Sequence, residues 1–116
     1  MPHIILETTS DLPENANVPD ILEALVEKLS RLETIESKSV KAYHTLRMVW
    51  SMGEGAPGGF AHCIVAILTG RTEAIKTKIA DEMYAVLKEH FGQSLELGEV
   101  GLTLELREME ASTYRK

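Results

Sequence analysis

Phe60-Ala61-His62-Cys63-Ile64-Val65-Ala66-Ile67-Leu68-Thr69 is the stretch on which the fold turns. Successive side chains of a strand point to opposite faces, so Cys63, Val65 and Ile67 share one face and Ile64, Ala66 and Leu68 the other. Both sets are apolar, and residues 60–69 therefore predict a strand buried on both sides. Gly70-Arg71-Thr72 follows as a turn, in which Thr72 can cap a helix N-terminus. Ile75, Ile79, Met83, Val86 and Leu87 mark the inner face of that helix, and Gly92 after Phe91 reads as its C-terminal stop. Val100, Leu102, Leu104 and Leu106 then alternate with Gly101, Thr103 and Glu105, the pattern of a closing strand with one apolar face.

The same order appears upstream. Residues 2–7 (PHIILE) predict a short strand with Ile4 and Leu6 on one face and Ile5 on the other, and residues 8–18 are polar turn formers. Pro19 suits a first helical turn, and Ile21, Leu22, Leu25, Leu29 and Leu32 carry an amphipathic helix over 19–32. Residues 39–50 (SVKAYHTLRMVW) predict a second strand, and the Gly-rich run 51–59 a break. An offset of 59 residues lays 2–5 on 61–64, 19–32 on 78–91 and 39–50 on 98–109. One domain over 1–116 is expected, built from pseudo-repeats at about 2–52 and 60–110. The fold class is α+β: a duplicated β-α-β with a four-stranded sheet, both helices on one face, and right-handed crossovers. Two helices cover one face only, so the doubly apolar third strand calls for a ligand or another subunit on the other.

Composition narrows the function. Twelve basic against eighteen acidic residues give a net charge of −6, and an acidic chain without a basic stripe is a poor partner for nucleic acid. No apolar run approaches the ~20 residues of a membrane span, and Met1–Glu7 lacks the features of a secretory signal. A lone cysteine, Cys63, leaves no internal disulfide framework. A cytoplasmic protein is expected.

Most candidate chemistry reads as ordinary structure. His3, His44, His62 and His90 have no spacing of a metal motif, so no metal is expected. Cys63 sits mid-strand among apolar residues, as an inert buried thiol would. The run 53–59 lacks the Lys-Ser/Thr of a phosphate loop and precedes a strand. Pro2 is more informative. Proline after the start methionine permits trimming of Met1, which leaves a secondary amine. A terminal amine titrates at roughly 7.7–8.0 and falls further with burial and nearby cations, into the range of a general base. Proline is equally at home as the first residue of a strand. Arg71 lies where a strand ends and a helix begins, a setting that favours anions, and its guanidinium can hold a carboxylate with two hydrogen bonds. Lys41 opens the second strand, with Tyr43 on the same face. A solvated arginine, a solvated lysine and a packed tyrosine are the plain alternatives.

Pro2-His3-Ile4-Ile5-Leu6-Glu7, the doubled β-α-β, Leu68-Thr69-Gly70-Arg71-Thr72, Val49-Trp50-Ser51-Met52 and His90-Phe91 together resemble the tautomerase superfamily, and within it the 5-carboxymethyl-2-hydroxymuconate Δ-isomerase family. The resemblance covers nearly the whole chain. It implies a homotrimer with inward-facing sheets and a keto–enol or double-bond isomerase without cofactor or metal. It implies Pro2 as catalytic base and basic side chains that bind a small-molecule carboxylate. Arg71 matches such a binding position directly; Lys41 and Tyr43 fall where the isomerase has arginines. Two other readings stay open: a hydratase or dehalogenase using the same proline, and a non-enzymatic ferredoxin-like binding module.

Overall fold

The computed structural model describes residues 1–116. Its four-stranded sheet has the order β2-β1-β3-β4, with β1 His3–Thr9, β2 Lys41–Arg47, β3 Gly59–Leu68 and β4 Val100–Met109. The β1–β2 and β3–β4 pairs are parallel, and the central β1–β3 pair is antiparallel. Helix α1 (Val18–Ser30) links the first parallel pair. Helix α2 (Glu73–His90) and a short α3 (Gly92–Glu96) link the second. Each half is thus a β-α-β unit, and the halves meet head to tail along β1 and β3.

The core forms because every second residue of the strands and one stripe of each helix are apolar. Ile4 and Leu6 of β1, and Ala61, Cys63, Val65 and Ile67 of β3, are fully buried on the helix side. Ile21, Leu25 and Leu29 of α1 and Ile79, Met83 and Leu87 of α2 close over them. Each of the Ile, Leu, Val and Met side chains among them contributes about 1.5–3 kcal/mol relative to exposure. Cys63 is buried with them, and burial pushes its thiol up to about 12. Almost none is thiolate at neutral pH, and a nucleophilic role is closed to it.

Several expectations shift. Strand β2 covers Lys41–Arg47 rather than 39–50. Ser37–Ser39 forms a 3-10 turn before it, and Trp50 leaves the edge strand to donate its indole N–H to Gly58 O at 2.9 Å. Thr8 and Thr9 belong to β1 instead of the following loop, both fully buried. Helix α2 does end before Gly92, at His90 with Phe91 as its C-cap, but Gly92 is not left-handed: it opens the short α3, and the left-handed stop falls at Gly98, φ 71°. Glu14 explains the extra turn, since its buried carboxylate accepts from Ser94 N (3.1 Å) and Ser94 Oγ (2.7 Å). Strand β3 is buried on its helix face, but Phe60, His62, Ile64 and Leu68 on the other face are only half-buried in the single subunit.

The far end of β1 is tightly sealed against the start of β3. Phe60 N donates to Thr9 Oγ1 (3.0 Å), and Thr9 Oγ1 donates to Asp11 Oδ1 (2.5 Å). A Cβ at Gly59 would fall on the Thr9 hydroxyl and the Asp11 carboxylate, so only glycine fits there.

Candidate functional site

Strand polarity gathers four chain segments at one end of the sheet. His3 pairs with Lys41, so the start of β2 lies beside the start of the chain. His3 also pairs with Ala66 in antiparallel fashion, so the residues after Ala66 run past Pro2 and Met1 toward the β3–α2 turn. Leu68 pairs with Met109, so the segment after β4 leaves from that same end. Pro2, Lys41, Arg71 and the C-terminal tail are brought together by topology, although up to 114 residues of sequence separate them.

Lys41 N donates to Pro2 O at 3.3 Å, fixing the backbone of the chain's start to β2. Pro2 itself is buried. The amino group of Met1 is held below the ordinary range of a terminal amine, first by burial, then by repulsion from Lys116, Lys41 and Arg71. Glu36 opposes them. None of those three cations has a carboxylate partner within the chain, whereas Lys28, Arg31, Arg47, Lys76 and Arg107 all do. The charge around the chain's start is therefore left free to attract an anion.

Each side chain is placed by a local cause. Thr72 caps α2, its hydroxyl accepting from Ile75 N at 3.3 Å, and this holds Arg71 just ahead of the helix's positive end. The half-buried Arg71 donates from Nε to Thr34 Oγ1 (2.8 Å), from one terminal nitrogen to Thr34 O (3.0 Å) and from the other to Leu68 O (3.0 Å). Lys41 Nζ donates to Ser39 O at 3.0 Å. Tyr43 lies two residues further along β2, opposite Ile5, and is 49% exposed on the sheet's open face.

Three participants escaped the sequence reading. Thr34 holds Arg71, and Tyr114 and Lys116 come from the tail. The Tyr114 hydroxyl shares a 2.8 Å hydrogen bond with His3 Nε2, and the two rings stand edge to face at 6.0 Å. That contact ties the tail to β1 and carries Lys116 toward the chain's start. Burial, then Lys41 and the nearby amine, hold the His3 imidazole below its ordinary titration range. The alternating pattern that marks a strand ends before residue 110, so nothing in the tail's letters announces where it packs.

None of the three clefts of the single subunit is lined by Pro2, Lys41 or Arg71. One of about 360 Å³ sits between α2 and β4 at Asp81, Tyr84 and Thr103, and one of about 390 Å³ between the two long helices at Glu27, Arg31 and Lys78. The cationic end of the sheet has no enclosing wall of its own. No helix is long and apolar enough to cross a membrane.

The sequence model of the 5-carboxymethyl-2-hydroxymuconate isomerase family matches residues 2–116. Among solved structures, a 5-carboxymethyl-2-hydroxymuconate isomerase from Deinococcus radiodurans R1 is 26% identical, with a TM-score of 0.89 over 99% of this chain and 87% of that one. A 5-carboxymethyl-2-hydroxymuconate delta-isomerase is 17% identical, with a TM-score of 0.80 over 100% of this chain and 87% of its own. A fused 4-OT described as a symmetric trimer is 18% identical, with a TM-score of 0.72 over 98% of this chain and 90% of its own. The last two share the fold. No curated protein sequence matches this one.

Proposed function

The chain belongs to the 5-carboxymethyl-2-hydroxymuconate isomerase family and is an isomerase of the tautomerase superfamily, and from that premise we propose that Pro2, freed by removal of Met1, is its general base. The substrate is an unsaturated 2-hydroxy or 2-oxo carboxylic acid. The convergence of Lys41, Arg71 and Lys116 on the amine at the chain's start carries this reading. Burial and repulsion from these cations disfavour the protonated form of an amine placed there, which favours its acting as a base. The same cations attract the carboxylate of a substrate and oppose the negative charge that develops on its oxygen.

The chemistry needs one proton and no other reagent. The neutral Pro2 nitrogen takes a proton from a dienol oxygen or from the carbon α to a carbonyl. The electron pair left behind spreads over the dienolate, which Arg71, with Lys41, stabilises. The prolinium then returns the proton to a different carbon, and the double bond has moved. A screen of 2-hydroxydienoates and enols with the mature protein tests this, followed by ultraviolet absorbance. Dicarboxylic dienols should isomerise fastest; equal rates for uncharged enols would remove the cations from the binding step.

Subunit assembly completes the reading. Leu46, Met48 and Val49 at the end of β2 are exposed, Val49 at 93%, and the sheet face bearing Ile5, Tyr43, Ile64 and Phe60 is open. Burying both in a homotrimer removes an apolar patch that an isolated subunit would present to water, and supplies the wall that the cationic end lacks. Light scattering should give about 39 kDa, three times the chain's 12.9 kDa. A mass near that of one chain at micromolar concentration would refute the assembly.

A further inference from the structure

Thr34 is the only non-glycine residue with a positive φ, 73°. A β-branched residue is a poor occupant of that left-handed region, because its Cβ substituents crowd the backbone. Glycine or asparagine would fit with less strain. Thr34 is exposed and packs into no core, so burial does not account for it. Its contacts do. The hydroxyl and the carbonyl of this one residue accept from two nitrogens of Arg71, at 2.8 and 3.0 Å.

The left-handed backbone lets one residue present a side-chain oxygen and a main-chain oxygen to the same guanidinium. Leu68 O takes a third N–H at 3.0 Å. Five N–H groups minus these three leave one on each terminal nitrogen, enough for the two oxygens of a carboxylate. An unclamped arginine would sample many rotamers and lose that freedom each time it bound. Strain held at a site by the contacts it makes possible is a recurrent pattern of functional positions.

We propose that Thr34 is a positioning residue, strained so as to hold the Arg71 guanidinium with its free N–H pair directed at the substrate carboxylate. The proposal rests on the reading of Arg71 as the carboxylate binder. A loop residue that only shapes the α1–β2 connection would gain stability when its strain is relieved and leave catalysis alone. A positioning residue gains stability and loses binding together.

Thr34→Asn and Thr34→Gly both suit the positive φ and both lack the hydroxyl. Each should melt at or above the wild-type temperature. Each should raise KM for a dicarboxylic dienol about tenfold, the scale of one lost hydrogen bond to a charged group, with a smaller change in kcat. Thr34→Ser keeps the hydroxyl and should restore KM toward the wild-type value. Thermal melts, circular dichroism and steady-state kinetics on all three, beside Arg71→Ala, make the comparison. A wild-type KM in both Thr34→Asn and Thr34→Gly, with KM raised in Arg71→Ala, overturns the positioning role and leaves the carboxylate binder standing. A wild-type KM in Arg71→Ala overturns the binder itself, and with it the proposal.

Discussion

Isomerase activity should fall almost to nothing in a protein that keeps any residue ahead of Pro2, because an amide nitrogen carries no basic lone pair. Circular dichroism of the extended and mature proteins should match, since the strand and its pairing begin at His3. Pro2→Ala leaves a primary amine of different basicity and greater freedom, and the rate should drop about 10²–10⁴-fold, the usual contribution of a positioned base. The pH profile fixes the sign. The base works only when uncharged, so kcat/KM rises with pH through the pKa of the amine and levels off above it. Burial, Lys116, Lys41 and Arg71 lower the pKa of the Met1 amine; with Met1 removed, the same surroundings act on the Pro2 amine, so the rise should be centred below the ordinary range of a terminal amine. Lys116→Gln removes one repulsion and should move the rise to higher pH. Intact mass shows whether Met1 is gone, and equal rates for extended and mature protein would remove Pro2 from the mechanism.

Arg71→Ala should weaken turnover of a dicarboxylic substrate by about 2–4 kcal/mol of transition-state stabilisation, the range for one preorganised donor in an oxyanion site. Arg71→Lys should recover only part, because a point charge cannot make the paired hydrogen bonds of a planar fork. Lysine at this position also has too few fixed donors to satisfy Thr34 and Leu68 while holding a ligand. The check is kcat/KM for the two variants, with a thermal melt to show that the α1–β2 connection survives loss of its two contacts to Arg71. Wild-type kcat/KM in a folded Arg71→Ala protein would make this a solvated surface arginine.

The order of elements was readable because the apolar pattern of each segment matches the period of its structure. Residues 60–69 become β3 nearly to the residue, and the 59-residue offset reproduces the relation of β1 to β3 and α1 to α2. Arg71 and Lys41 could be singled out since a strand end and a helix start are visible in sequence. Their approach to Pro2 then follows from strand polarity alone. Thr34 could not be found that way. Threonine argues against a left-handed backbone, and the structure imposes one through contacts with a residue 37 positions away. Lys116 and Tyr114 lie in a tail held by a single aromatic–hydroxyl contact, with no periodicity to reveal it. Gly92 marks the end of α2, but the extra turn α3 after it has no signal of its own, because it is pinned from afar by the buried Glu14 carboxylate on Ser94.

The internal duplication has a consequence for ligand stoichiometry. A doubled β-α-β places a second strand start, a second crossover and a second strand-to-helix junction at the opposite end of the sheet. By the 59-residue offset Pro2 corresponds to Ala61, Lys41 to Val100 and Arg71 to Leu12. Those three are apolar and all but inaccessible, at 0%, 3% and 3% exposure. Ala61 is preceded by a peptide bond rather than an amine, and the Thr9 and Asp11 side chains fill the space that a side chain at Gly59 would take. One half of the repeat has kept its end open and charged while the other has been absorbed into the core. Calorimetric titration with an unreactive dicarboxylate should therefore saturate at one equivalent per chain, despite two copies of the scaffold in each.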